Sequence, residues 1–297
     1  RKSAVHGSVI GMYAGLWAFD TFADTLRSSP ASYSGYTVTS ASMSVCVGRL
    51  SFVLDLHGPC ASFDTACSSS LVSSHVGIRG LESGECPSAL LVGVSMIFSP
   101  MATASIAIAG MTSVHGRCFT FDERASGYAR GEASVVAHVT TDQSTGLARH
   151  ICCHLLGAAV RAHGKSASLT APNSPAQQEL LAVARASSSI KEDDYTCVES
   201  HGTGTALGDP IEVAALNAAI FNGHASDTAA TSLGGAKASY GHAEPAAGAA
   251  GLVKLLHTIQ RHQAPPNALL RALNPHVRDK LRGVAGALPV QLAAVTM

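Results

Sequence analysis

The stretch Ser62-Phe-Asp64-Thr-Ala-Cys67-Ser-Ser-Ser70-Leu71 decides how the rest of the chain is read. Residues 61–65 suit a short strand. Residues 67–81 suit a helix, with Leu71, Val72, His75, Val76 and Arg79 at helical spacings. A strand that turns sharply into a helix places Cys67 where unpaired backbone N–H groups and the helix dipole favour an anion. Such a position lowers a thiol pKa and makes a nucleophile. A buried packing cysteine is the plainer alternative, because helix starts prefer Ser, Thr, Asp or Asn.

The same order returns in the second half. Gly241-His242-Ala-Glu244-Pro-Ala-Ala-Gly248 again follows a strand, turns sharply and opens a helix of small residues. Small residues permit close packing, so burial of both helices is expected. Working outward, strands are expected at 8–12, 89–94, 134–139, 151–160, 195–199 and 228–233. Helices are expected after the first strand through Leu26 and at 101–109, 175–187, 210–221 and 243–261, with a loop over 28–45. This alternation predicts an α/β protein with helices on its sheets. The polar run at 140–150 is the natural seam between a half at 1–145 and a half at 146–297.

Composition narrows the function classes. Of 297 residues, 46% are hydrophobic and 13% charged, against roughly 25% charged in an average soluble protein. Twenty basic and twenty acidic residues cancel, so nothing suggests nucleic-acid binding by bulk charge. The eight cysteines show no paired short spacing, which points to a reduced, cytoplasmic chain. Residues 87–114 carry no charge among Asp, Glu, Lys and Arg. Pro100 and several Ser and Thr residues interrupt them, so they read as a strand and a helix rather than a membrane span. His150, Cys152 and His154 would share one face of the strand expected at 151–160, a spacing taken as coincidental for lack of a fourth metal ligand. Cys46, Cys60, Cys86, Cys118 and Cys197 read as packing residues.

Two further motifs carry reactive side chains. Val198-Glu-Ser-His201-Gly-Thr203-Gly-Thr205-Ala-Leu-Gly-Asp209-Pro-Ile-Glu212 places a histidine after a strand, with glycines that let backbone approach a ligand. Asp209-Pro210 reads as an N-cap with Pro at the first helical position. Gly234-Gly-Ala-Lys237-Ala-Ser-Tyr-Gly241-His242 places a second histidine before a helix, with Lys237 five residues upstream. Taken singly, His201 is more simply a loop residue and Lys237 a surface charge. Cys67 and His201 lie 134 residues apart, and His201 and His242 lie 41 apart. On strand-to-helix turns all three can meet at one edge of the sheets.

Together, Asp64-Thr-Ala-Cys67-Ser-Ser-Ser-Leu71, Glu199-Ser-His201-Gly-Thr-Gly-Thr205 with Gly208-Asp-Pro-Ile-Glu212, and Lys237 with Gly241-His242-Ala-Glu-Pro-Ala-Ala-Gly248 resemble the three signatures of β-ketoacyl synthases. Among these they most resemble the ketosynthase domains of type I polyketide synthases. The resemblance implies a thiolase-like fold, two related halves in five α/β/α/β/α layers, and a homodimer. It implies that Cys67 takes an acyl chain from a phosphopantetheine thioester of an acyl carrier protein, with neighbouring synthase domains as further partners. His201 and His242 would stabilise the enolate that malonyl decarboxylation releases, giving a β-ketoacyl thioester in polyketide or fatty acid synthesis. Lys237, Glu244, Thr203 and Thr205 would support the site, with no bound cofactor and no metal. Ser200, Ala133, His163 and the pair Ala238-Ser239 depart from the family pattern, the last of them beside the His242 turn. The start at Arg1 and the lack of a Gly-Phe-Gly-Gly-Thr-Asn loop before Met297 suggest part of a larger catalytic domain. A thiolase, or a non-condensing acyl-binding or dimer-scaffold domain, is the alternative.

Overall fold

The computed structural model describes residues 5–18, 20, 33–141, 151–168, 171–190, 194–221, 231–282 and 293–294. The chain forms two compact units. The first comprises Arg1–Gly110, Arg130–Ile151 and Ala243–Ala250; the second comprises Met111–Ala129, Cys152–His242 and Gly251–Met297.

In the first unit the elements are β1 (Ile10–Gly15), α1 (Thr37–Ser40), α2 (Met43–Leu54), β2 (Cys60–Phe63), α3 (Ser69–Glu82), β3 (Ser88–Ser95), α4 (Pro100–Ile108) and β4 (Ala133–Thr140). They build one sheet in the order β2-β1-β3-β4. β1 runs parallel to both neighbours, with Met12 opposite Cys60 and Leu90, and β4 runs antiparallel to β3. Alternation along the strands divides the apolar residues between two faces. Met12, Ala14 and Val92 pack with Val47 of α2 and with Leu56. Tyr13, Ala89 and Leu91 pack with Leu81 of α3 and with Cys86.

The helix after Cys67 buries a face other than the one its apolar spacing suggests. Ser69, Ser70, Ser73, Ser74, Gly77 and Gly80 face inward, and Leu71 is 46% exposed. Close approach to the sheet is the reason. A Cβ at Gly77 would lie 3.0 Å from the Tyr13 ring, and a Cβ at Gly15 would lie 2.3 Å from the Ser70 nitrogen. Larger side chains cannot enter such a gap. Ser73 and Ser74 satisfy their hydroxyls within the helix by donating to the Ser70 carbonyl.

The second unit contains α5 (Ser174–Ser188), β5 (Cys197–Glu199), α6 (Gly208–Ala219), β6 (Ser232–Gly234), α7 (Lys237–Tyr240), most of α8 (Ala247–Arg261), β7 (Gln263–Ala264), α9 (Pro275–Lys280) and β8 (Ala293–Ala294). β5 and β6 pair in parallel, and β7 pairs with β8 in antiparallel. Phe121, Val213, Leu216, Ile220, Phe221, Leu233 and Val277 form the core. Asn173 caps α5 by accepting from the Ala176 N–H.

Several expectations are corrected. Residues 43–45, the end of the segment expected as a loop, begin α2, because Val47 can bury against the sheet. Residues 151–160 form no strand: Ile151, Leu155 and Leu156 stay exposed without a ladder partner. The alternation assumed for Cys152 and His154 therefore has no backbone behind it, and His150 lies outside the described residues. The helix expected over 243–261 is broken, with a 3₁₀ turn at Glu244–Ala246 before α8 begins. Helix α6 starts at Gly208, and Asp209 does not cap it. Cys86 and Cys118 are buried, whereas Cys46 and Cys60 are exposed and so are not core packing residues; none of the eight cysteines forms a disulfide. The helix expected through Leu26 and the seam at 142–150 fall outside the described residues.

Candidate active site

Cys67 sits on the turn from β2 to α3. Its neighbour Ala66 has φ +53°, a left-handed conformation uncommon for a residue with a side chain. Hydroxyls hold the turn. The Ser69 hydroxyl accepts from the Thr65 N–H at 2.9 Å and donates to the Ala66 carbonyl at 2.6 Å. The Ser68 hydroxyl donates to the Thr65 carbonyl, and Asp64 accepts from the Ala66 N–H. Serines 68 and 69 thus tie down the turn that presents the thiol. Cys67 is partly exposed and lies two residues before α3 begins, so it precedes the helix rather than opening it.

The two histidines belong to the second unit. His201 follows β5, where the chain is carried by buried carboxylates. Glu212 accepts the N–H groups of His201 at 2.5 Å and Gly202 at 2.9 Å. Asp209 accepts from Gly204 and Thr205, and from Phe121 at 2.8 Å. Instead of capping its own helix, Asp209 turns back to the glycine loop. Gly202 and Gly204 have φ +45° and +75°, and a Cβ at Gly204 would lie 2.7 Å from the Phe119 nitrogen, so glycine is needed there. Thr205 accepts from the Gly208 N–H, and its hydroxyl lies 3.4 Å from that of Thr203. Both threonines therefore sit in the turn that shapes the loop.

His242 follows the short helix α7. Its N–H donates to the Ala129 carbonyl at 2.7 Å, and Gly241 donates to the Lys237 carbonyl. These backbone bonds hold the turn, while Ser239 is exposed; the departure at Ala238-Ser239 leaves them in place. The His242 ring meets His201 edge to face at 5.4 Å and Tyr128 at 5.0 Å. Lys237 is buried. His201 is exposed by surface area, unlike buried His242; ring desolvation, then the Lys237 charge, holds the His201 imidazole below the usual histidine range. Desolvation, Lys237 and His201 hold His242 well below the usual histidine range. At neutral pH the pair is two uncharged rings, each with one N–H able to donate to an oxygen that gains charge.

Of the carboxylates around this loop, Asp209 is expected from the sequence as a helix cap, and Glu199 and Glu212 carry no expected role. Burial and the neighbouring Glu212 push Asp209 up to about 7, against the pull of its three backbone donors. Glu199 accepts from the Ala236 N–H and pairs with Lys254 at 2.6 Å, which anchors the strand leading to Lys237. Their signal was compositional: acids inside an apolar, charge-poor segment must find partners. Cys118 differs from Cys67, since burial raises its thiol and its sulfur exchanges hydrogen bonds with Ala129.

Comparison with known proteins gives the family. The N-terminal domain of β-ketoacyl synthases matches residues 1–144, and the C-terminal domain of the same enzymes matches residues 152–271. The chain belongs to the β-ketoacyl synthase family. This ketosynthase is 38% identical over 282 residues to one polypeptide of the phenolphthiocerol/phthiocerol polyketide synthase of Mycobacterium tuberculosis, covering 94% of this chain and 13% of that protein. It is 40% identical over 260 residues to a second polypeptide of that synthase from the same species, covering 87% of this chain and 17% of that protein. The ketosynthase from module 6 of the bacillaene synthase of Bacillus subtilis matches with a TM-score of 0.86 at 28% identity, over 100% of this chain and 50% of that one. An oxazolomycin ketosynthase domain from Streptomyces albus matches with a TM-score of 0.88 at 30% identity, over 99% and 50%. The fold is thus thiolase-like. The chain spans half the length of these solved ketosynthases and about one sixth or less of the curated relatives. Among the described residues no helix is long and apolar enough to cross a membrane.

Proposed function

We propose that this ketosynthase catalyses decarboxylative Claisen condensation, with Cys67 as nucleophile and His201 and His242 as oxyanion donors. The observation that carries the reading is the histidine pair, two rings in edge contact and kept uncharged beside a buried lysine. In the first half-reaction the Cys67 thiolate attacks an acyl thioester, and the carrier thiol leaves with a proton. In the second, a malonyl thioester loses carbon dioxide, and its electron pair passes into an enolate. The two imidazole N–H groups stabilise the charge on the enolate oxygen. The carbanion then attacks the acyl-Cys67 carbonyl, and the Cys67 thiolate departs and is regenerated. The Cys67 N–H supplies part of the oxyanion hole for that attack. Lys237 keeps the rings neutral; Thr203 and Thr205 shape the His201 loop and Glu244 supports the His242 turn. No metal or diffusible cofactor enters any step.

Substrates ride on the phosphopantetheine of an acyl carrier protein, and neighbouring synthase domains flank the ketosynthase in a cytoplasmic assembly. Its two halves divide near residue 145. The partner subunit is a second copy: Tyr36, Val38 and Phe52 of the first unit are 79%, 82% and 85% exposed, an apolar surface suited to burial in a homodimer.

The test supplies the complete protein with acyl-carrier and labelled malonyl-carrier thioesters. Labelled β-ketoacyl product is expected, and Cys67→Ala should lower its rate more than about a thousand-fold. Absence of product, with Cys67→Ala indistinguishable from the parent, would end the proposal.

A further inference from the structure

Glu244 has the most unusual surroundings of any residue beside the histidines. Its backbone lies at φ +40°, where a residue with a side chain is strained. Its carboxylate is buried against Arg130, which donates from Nε at 3.0 Å and from Nη2 at 2.8 Å. The same guanidinium reaches Asp20, at 2.8 Å from Nη2, and the Thr103 hydroxyl, at 2.9 Å from Nη1. Asp20 also accepts from the Ser99 N–H. Four chain segments therefore converge on one guanidinium: the one after β1, helix α4, the approach to β4 and the 3₁₀ turn. The side chains of Arg130, Asp20 and Glu244 are 4%, 6% and 5% exposed. Two buried carboxylates against one cation are not a stabilising arrangement in themselves, because desolvation offsets much of the attraction. Such a cluster is better explained by what it orients.

What lies within its reach is the His242 turn. Ala129 and Arg130 are adjacent, and they hold both ends of a three-residue segment. The Ala129 carbonyl accepts the His242 N–H, and Arg130 grips the side chain of Glu244. Ala243 between them is fully buried. We propose that Asp20, Arg130 and Glu244 form a positioning clamp that fixes the His242 ring, so that Arg130 and Asp20 act in the malonyl half-reaction without touching substrate. Arginine is required rather than lysine, since only a planar fork can engage two carboxylates and a hydroxyl at once. The assignment of a catalytic step to His242 rests on the reading given above. The positioning of its ring does not.

The experiment uses the complete protein and the variants Arg130→Lys, Glu244→Gln and Asp20→Asn. Histidine accessibility is read by diethyl pyrocarbonate labelling and peptide mass spectrometry, with Tm recorded beside it. His242 is buried, and it should label at least fivefold faster in Arg130→Lys and Glu244→Gln, with a smaller increase in Asp20→Asn. His201 should change less than twofold. In the same proteins carbon dioxide release from the malonyl thioester should fall at least tenfold, while acylation of Cys67 stays within threefold of the parent. Unchanged protection of His242 in all three variants overturns the clamp. So does simultaneous exposure of all histidines with a collapse of Tm, which would make the cluster general scaffolding. If the parent releases no carbon dioxide but His242 labels as expected, the catalytic reading falls and the clamp stands.

Discussion

The two compact units hold their reactive groups by different means. In the first, the Cys67 turn is set by regular structure: a parallel sheet, a helix of serines and glycines pressed against it, and hydroxyls that close the turn. In the second, β5 and β6 pair over only three residues each, and the His201 loop hangs on the carboxylates of Asp209 and Glu212. Hydroxyls that bond backbone do not titrate near neutrality, whereas buried Asp209, raised to about 7, does. A nucleophile must be presented at a fixed angle, and close packing does that. An oxyanion site needs rings that stay neutral, and it is surrounded by groups whose charge states depend on one another. The Cys67 turn is therefore expected to be sensitive to volume and the His201 loop to charge.

Three measurements test that contrast. The largest effect is expected for Gly15→Ala, whose new Cβ would lie 2.3 Å from the backbone of Ser70. Overpacking of this kind costs about 3 kcal/mol. Urea unfolding should show it, and Cys67 acylation should fall with His242 protection unchanged. Glu212→Gln comes next. It replaces an acceptor-only carboxylate with an amide, so one of the N–H groups of His201 and Gly202 loses its partner, at about 2 kcal/mol. Here acylation of Cys67 should survive and decarboxylation should fail; loss of both together would erase the distinction between the units.

The smallest effect is the pH dependence of stability. His201 and His242 have folded pKa values below 6.5, so beneath that pH the unfolded chain binds more protons. The stability associated with their neutral forms is lost as pH falls from 6.5 toward 3. Asp209 has the opposite sign. Raised from 3.8 to about 7, its protonated form favours the folded state, and that contribution is lost as pH rises through this window. Asp209→Asn should remove the opposing slope, so that stability rises more steeply between pH 4 and pH 6.5 than in the parent. An identical slope in denaturant melts at graded pH would show that the His201 loop is not charge-sensitive.

Much of the architecture was legible because its signals are local. The strands around 89–94 and 134–139 and the helices at 101–109 and 175–187 appear within one or two residues of expectation. Helix α2 was missed because 28–45 is dominated by Ser, Thr, Tyr and Gly, and only Val47 of α2 is buried. The segment 151–160 was taken for a strand on its apolar content, but a strand exists only where a partner completes the ladder. The spacing of Leu71, Val72, His75, Val76 and Arg79 predicts the helix but not its inner face, which is mainly serine and glycine with Leu81, because the backbone of α3 lies close to the sheet.

For the candidate site, the sequence by itself singled out Cys67, His201, His242 and Lys237 as candidates, because each stands in a motif of specific residue types on a turn. It also identified the family those motifs resemble. Only the tertiary structure decided that His201 and His242 share an edge contact and that desolvation, with buried Lys237 second, keeps both uncharged. Only it decided that Asp209 and Glu212 serve backbone rather than solvent, and that Arg130 joins residues 110 and 114 positions away in sequence. The reason is the range of the interactions. A motif records what a turn requires of its own residues, whereas burial and charge pairing depend on which distant segment the fold brings alongside.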